Sequence, residues 1–430
     1  DQALTGKASG VHITNTSGEP GAGTNILIRG GNSISASNEP LYVIDGFIGA
    51  GDLNLIDPND IESIEILKDA AATSIYGARG ANGVVIVTTK RGTEGRNNVT
   101  VNTYIGVQHI AKRLEMMNAR EYAEMLNQQD VSVNQEPSIE NPSIYGKGTD
   151  WQDEILRMAL MQNYQIAASG GNKDSRYYLS ISMFDQEGVI KNSGIRRYQT
   201  RLNLDRKIGK NINIGANFQF SYSQRKPNLV SLGGFDYQSS ALATPPTMGI
   251  YNEDGSYAAD SPSRVVSNKI DNVVAQLNER KKQEKAASVY AGIFADWEAI
   301  KGLKFKTFLG LNASNNKTSE YKPSSLPTMI QNKVKGEAWI NQGDSYSILW
   351  ENTVNYMKEI AKGHHLTVLG GYTLQTSRSE GLSLYGKNFT NDLLDWNNLS
   401  DAETKTRLIG SSASEWAIIS YLGRINYSVL

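Results

Sequence analysis

Asn211–Ser223 reads NINIGANFQFSYS, and its alternation sets the architecture of most of the chain. Ile212, Ile214, Ala216, Phe218, Phe220 and Tyr222 fall on one face of an extended strand, and Asn213, Asn217, Gln219, Ser221 and Ser223 on the other. One face suits hydrocarbon and the other suits water. The same split recurs at Arg197–Ile208, where Tyr198, Thr200, Leu202 and Leu204 oppose Arg197, Gln199, Arg201, Asn203 and Asp205. It returns at Ala287–Ala299, where Val289, Ala291, Ile293, Ala295 and Trp297 oppose Ser288, Gly292, Asp296 and Glu298. A membrane barrel needs this pattern because its outside meets lipid and its lumen meets water.

Ten strands are expected, at about 99–110, 162–171, 175–187, 196–209, 211–226, 285–299, 303–314, 344–359, 364–377 and 414–429. Their connections include short ones (GGNKDS, Gly209-Lys210, IKG and EIAKGHH) and long ones (Lys226–Glu284, Ser314–Gly343 and Ser377–Ala413). Barrels of the outer-membrane type segregate short turns from long loops in this way, and a soluble sandwich has no physical reason to do so. A helix is expected at Asn118–Gln128, with Tyr122, Met125 and Leu126 on one face.

The first ninety residues follow a different grammar. Short strands are expected at Gly10–Thr14, Asn25–Arg29, Leu41–Ile44, Ser63–Lys68 and Val84–Thr89, punctuated by Gly and Asn. Asp57 followed by Pro58 predicts a capped helical turn, and Asp69 a cap for a helix over Ala70–Tyr76 that stops at Gly77. The chain thus divides into a small α/β unit, 1–92, and a sheet-forming unit, 93–430. Its 43 basic and 44 acidic residues lack the footprint of a nucleic-acid binder, and the absence of cysteine removes disulfides and thiolate chemistry.

Two segments of the α/β unit resemble a known family. Pro20–Gly46, PGAGTNILIRGGNSISASNEPLYVIDG, and Leu55–Gly92, LIDPNDIESIEILKDAAATSIYGARGANGVVIVTTKRG, are similar to the plug signature of SusC-like (RagA/SusC type) TonB-dependent outer-membrane transporters. Thr149–Gln152 and the SGGNKDSRYYLSISMFDQEG segment resemble the family's early strands, and Leu349–Asn352 and Tyr421–Tyr427 its later ones. The resemblance implies an α/β plug domain followed by a partial antiparallel transmembrane β-barrel, about 10 strands of an expected 22. It implies TonB-dependent import of oligosaccharides, or alternatively peptides, as a multi-pass protein of the outer membrane in contact with its lipid, together with a SusD-like surface lipoprotein. The TonB-contacting segment, a signal sequence and further strands are expected outside this chain, and the open sheet taken alone is expected neither to insert as a pore nor to transport. A ferric-chelate or signal-transducing receptor is the alternative on the same architecture, and a soluble β-rich adhesin or carbohydrate-binding protein the alternative from another class.

The plug-signature positions are Arg29, Gly30, Gly31, Pro40, Asp45, Gly46, Pro58, Asp60, Lys68, Asp69, Tyr76, Gly77 and Gly83, all read as structural, with Arg29 and Asp45 expected to pair. No catalytic, cofactor-binding or metal-binding set is expected. Asp52, Asp57, Asp60 and Glu62 lack the spacing of a calcium loop, and His364-His365 would point to opposite faces of a strand. Arg197, Arg201, Asp205, Asp296 and Glu298 are expected on the lumen side, and Tyr198, Tyr222, Trp297, Trp350 and Tyr427 on the lipid side as interfacial anchors.

Overall fold

The computed structural model describes residues 10–15, 17–30, 37–49, 53–227, 237–258 and 272–429. The α/β unit holds an antiparallel pair, β1 (Val11–Asn15) with β2 (Thr24–Ile28), and a four-stranded sheet of β3 (Leu41–Ile44), β4 (Phe47–Ile48), β5 (Ile61–Leu67) and β6 (Val84–Thr89). The sheet order is β4-β3-β6-β5, with β3 and β6 parallel. Val84, Val85 and Val87 are fully buried, as expected of a central strand covered on both faces.

Ten antiparallel strands then follow in uninterrupted neighbour order: β7 (Asn97–Gln108), β8 (Ala159–Gly171), β9 (Ser175–Glu187), β10 (Gly194–Ile208), β11 (Ile212–Lys226), β12 (Lys281–Ile300), β13 (Leu303–Lys322), β14 (Glu337–Ala361), β15 (His364–Lys387) and β16 (Leu408–Val429). The β8–β9, β10–β11, β12–β13 and β14–β15 connections are tight turns, and every connection on the opposite rim is longer. On the long-loop rim, α3 (Trp151–Ile155), α4 (Tyr237–Ala243) and α5 (Val273–Glu279) bury Trp151, Ile155, Tyr237, Val273 and Leu277 together. The helix predicted at Asn118–Gln128 forms over Ala119–Ser132 behind a capping box of Asn118 and Glu121, with Ala119 and Ala123 buried.

Alternation produces the predicted two faces. Ile212, Ile214, Phe218 and Phe220 are exposed on the outside, whereas Asn217, Gln219 and Ser221 are buried on the inside. Tyr164, Met183, Tyr198 and Tyr222 are cross-strand neighbours in one row near the long-loop rim. Trp297 stacks on Phe305 at 5.6 Å near the tight-turn rim, level with Ile212. From Ile212 to Tyr222 a strand rising roughly 3.4 Å per residue and tilted by about 40° climbs roughly 25 Å, the height of an outer-membrane apolar band. The two aromatic levels therefore bracket a hydrocarbon-thick zone.

Several predicted boundaries need correction. β13, β14, β15 and β16 run six to ten residues further toward the long-loop rim than expected, because above the apolar zone both faces are polar and alternation disappears. Thr149–Gln152 forms no strand; Asp150 caps α3, accepting from the Gln152 and Asp153 amides. The helix predicted over Ala70–Tyr76 is α-helical only at Ala70–Thr73 and continues as 3-10 turns broken at Gly77 (φ 60°).

Candidate plug–wall interface

The β3–β4 hairpin is closed by Asp45 and Gly46, both with positive φ (47° and 92°). An Asp-Gly pair is suited to this two-residue turn because Gly has no Cβ to clash and Asp tolerates the left-handed region. The turn presents Asp45 to the end of β6, where its carboxylate accepts from the Thr89 amide (3.0 Å) and hydroxyl (2.7 Å). Arg201 of β10 crosses from the wall to donate to Asp45 at 3.1 Å and to Thr89 Oγ1 at 3.0 Å, and it also donates to Gln219 of β11. Arg201 and Asp45 are each 1% exposed. Removing one partner of such a buried pair leaves a desolvated charge, at a cost of about 3–5 kcal/mol.

A second polar anchor forms at the turn Pro58–Asp60, where Asp57 accepts from the Asn59 amide at 2.9 Å and so fixes the direction of the next carboxylate. Asp60 accepts three wall hydrogen bonds, from Gln165 Nε2 (2.8 Å), Tyr178 OH (2.7 Å) and Ser180 Oγ (2.8 Å), while the Arg201 Nε lies 4.0 Å away. Burial pushes the Asp60 carboxyl up from its ordinary value, and the Tyr178 and Ser180 hydrogen bonds oppose that shift in part.

Wall amides satisfy plug carbonyls elsewhere. Gln199 and Gln219 donate to Leu55 O, Asn203 to Lys90 O and Gln375 to Ile48 O. Arg91 pairs with Asp205 at 2.6 Å and donates to Asn217 at 3.0 Å. The apolar part of the seat is one aromatic knob. Phe47 is fully buried and makes edge contacts with Tyr290 (5.6 Å) and Phe308 (6.4 Å), with Leu349 completing the same core. Gly310 of β13 is required there, because a Cβ at that position would enter the Phe47 ring. Gly92, which leads toward the wall, lies so close to the Gly170 and Tyr177 backbones that a Cβ would overlap them.

The expected Arg29–Asp45 pair does not form. Arg29 (φ 59°) bonds Asp69 at 2.6 Å, so Asp69 serves that ion pair and supplies no helix cap, while Asp45 is taken by the wall. Among the other signature positions, Gly30 (φ 95°) and Gly83 (φ 90°) hold left-handed turns, with Gly83 packed on Ile28. Pro40 is buried, Pro58 opens the turn before Asp60, Lys68 follows β5, and Tyr76 packs on the plug core. Gly31 and Asp52 lie outside the described residues. Asp57, Asp60 and Glu62 diverge into a cap, a wall contact and solvent. His364 hydrogen-bonds Tyr427 on the neighbouring strand. Of the lumen-side set, Arg201 and Asp205 hold the plug, Arg197 lies over the Phe184 ring at 5.4 Å, and Glu298 accepts from the Gly302 amide. Tyr198, Trp297, Trp350 and Tyr427 are exposed on the outer face.

A small α/β domain seated by polar contacts on the inner face of a sheet whose outer face is an apolar band defines a plugged transmembrane β-barrel. Residues 1–84 match the family model TonB-dependent Receptor Plug Domain. Over 99% of its length the chain is 37% identical to TonB-dependent receptor P3 of Formosa agariphila, covering 41% of that protein, and 29% identical to TonB-dependent receptor SusC of Bacteroides thetaiotaomicron, covering 44%. The RagAB peptide importer in its closed-closed state superposes with a TM-score of 0.83 at 27% identity, over 99% of this chain and 51% of that one. The ferric citrate transporter FecA shares the fold at a TM-score of 0.56 and 11% identity, over 97% of this chain and 50% of that one. Residues 1–84 thus match a TonB-dependent receptor plug domain, and the chain along its whole length is similar to SusC-like TonB-dependent receptors, spanning about two-fifths of the length of the curated relatives it matches.

Proposed function

We propose that the whole protein to which these residues belong is a TonB-dependent importer of oligomeric nutrients, oligosaccharides or peptides, across the outer membrane. The observation that carries this reading is the plug held inside an apolar-jacketed wall by replaceable hydrogen bonds and by ion pairs, of which Arg201–Asp45 is fully buried. A plug so held blocks the lumen at rest and leaves it when pulled. Residues 1–92 act as the plug and 93–430 as wall, with the signature residues shaping the plug's turns. A SusD-like lipoprotein captures cargo at the long-loop rim, TonB supplies the force from the tight-turn side, and the cargo passes without covalent change. Likeness to the RagAB peptide importer supports the peptide part of this range. Deleting the gene in its own organism and measuring energy-dependent uptake of labelled oligosaccharides and oligopeptides tests it. Loss of one cargo class identifies the substrate; unchanged uptake of both refutes the proposal.

A further inference from the structure

The outer face of the wall changes character one step above its row of interfacial tyrosines. At that level the cross-strand neighbours are Gln162, Asp185, Arg196, Gln224, Lys285, Lys317 and Gln342 on β8 to β14. Arg196 is neutralised by Asp185 at 2.6 Å. Lys285 and Lys317 instead stand directly opposite one another, and Lys226 follows two residues above Gln224 on the same outward face. Among the described residues these three lysines enter no ion pair, whereas their neighbour Lys281 is held by Asp395 at 3.1 Å and Arg378 by Glu380. Like charges directly opposite on neighbouring strands repel. A cavity of about 390 Å³ opens beside Lys226, lined also by Lys281 and Trp396. On the adjacent β14 the outward Asp344 lies diagonal to Lys317 but accepts from Asn315 and Gln342, and Glu380 and Glu415 follow on β15 and β16, so at this level the cations without an ion pair are those of β11–β13.

From this placement we infer that Lys226, Lys285 and Lys317 form a binding site for the phosphate groups of outer-leaflet glycolipid, the lipid A portion of lipopolysaccharide. The level is right for that chemistry. Acyl chains would lie along the apolar outer face of β11–β13, and the phosphorylated headgroup would meet the lysines just above Tyr222 and Ala287. Anionic phosphate relieves the Lys285–Lys317 repulsion that the protein leaves unanswered, and lysine stems lie along apolar surface while their ammonium groups reach the headgroup layer. The inference rests on the outer-membrane reading above for the identity of the lipid.

The test uses the full-length transporter in neutral detergent micelles, titrated with bis-phosphorylated lipid A, dephosphorylated lipid A or inorganic phosphate, with bound lipid read by native mass spectrometry. Bis-phosphorylated lipid A should bind the parent protein, and K226Q/K285Q/K317Q should weaken it on the order of a hundredfold, about fivefold per interfacial lysine. K210Q, on the opposite rim, should bind like the parent. Equal binding by the triple variant, or equal binding of dephosphorylated lipid A, overturns the site; competition by millimolar inorganic phosphate alone reassigns it to free anions and overturns it as a lipid site. Because the titration needs no import, unchanged uptake after gene deletion with lipid A binding intact counts against the importer reading alone.

Discussion

Replacing Arg201 by Met removes the guanidinium while keeping most of the side chain's volume, which isolates the electrostatic part of the plug's attachment. Arg201 and Asp45 are 1% exposed, and Thr89 Oγ1, which donates to Asp45, accepts from Arg201 at 3.0 Å. The variant leaves the Asp45 carboxylate desolvated without its cation, a loss of about 3–5 kcal/mol. Amide hydrogen exchange in the full-length protein reads that loss locally, since protection reflects the free energy of opening each element. Val84–Thr89 and Leu41–Ile44 should exchange between about a hundredfold and a few thousandfold faster, at 1.4 kcal/mol per decade, while β13 and β14 remain as before. Asp45→Asn should act in the same direction, and the double variant should lose much less than the two single losses combined, because it leaves no unpaired charge at this contact. Unchanged exchange in Val84–Thr89, additive single losses, or equal acceleration throughout the wall would refute the assignment of this pair as the plug's main electrostatic anchor.

Three further outcomes follow from the same interface. Phe47→Ala empties the space between Tyr290 and Phe308 and should weaken plug seating by about 3–5 kcal/mol, visible as faster proteolysis of the plug with the barrel intact; an unchanged cleavage rate contradicts the knob. The raised Asp60 pKa makes that group's contribution fully present below the unfolded value of about 3.9 and lost as pH rises through the folded value. Acidification from pH 7 toward 4 should therefore tighten the seat in a denaturant titration, and Asp60→Asn should flatten that slope; the same slope in both proteins would count against it. Gly92→Ala drives a Cβ into the Gly170 and Tyr177 backbones and should sharply reduce the yield of folded protein in membranes, and a normal yield would show that this close approach is dispensable.

The apolar zone was legible in the sequence because lipid on one side and plug or water on the other force period two. The upper parts of β13 to β16 were not, since in SEYK or SRSEGLSLYG both faces meet polar surroundings and no period survives. Within the plug, Leu41–Ile44 and Val84–Thr89 were readable to the residue because buried valine and isoleucine runs are bounded by Pro40, Asp45, Gly83 and Lys90. The pairing of Asp45 was not readable. Its partner Arg201 lies 156 positions away in a different sheet, and nothing local to the Asp-Gly turn distinguishes a partner in the plug from one in the wall. A usable signal was nonetheless present: the inward positions Gln199, Asn203, Asn217 and Gln219 are amides. An amide can donate to a fixed carbonyl without bringing a charge to be desolvated, so such a run on a lumen face marks where protein is packed against it.

That choice of side chain bears on how the seat comes apart. A wall amide bound to a plug carbonyl contributes about 1 kcal/mol net, because water replaces either partner as soon as a gap opens. Gln199, Gln219, Asn203 and Gln375 therefore orient the plug more than they hold it. Water does not replace the contacts of Phe47, and it compensates the Arg201–Asp45 pair only after it has entered a closed site. Under the proposed import, resistance to a pull is thus concentrated in the β3–β4 hairpin, which carries Asp45 and Phe47 two residues apart, so that both contacts must break together. The separate Asp60 anchor sits on the turn before β5, at the far edge of the sheet from β4, and because β3 and β5 both pair with β6 the two anchors hold opposite edges of one hydrogen-bonded sheet. A plug that leaves the lumen under the proposed import must therefore release both edges of its sheet, the β3–β4 hairpin and the turn before β5.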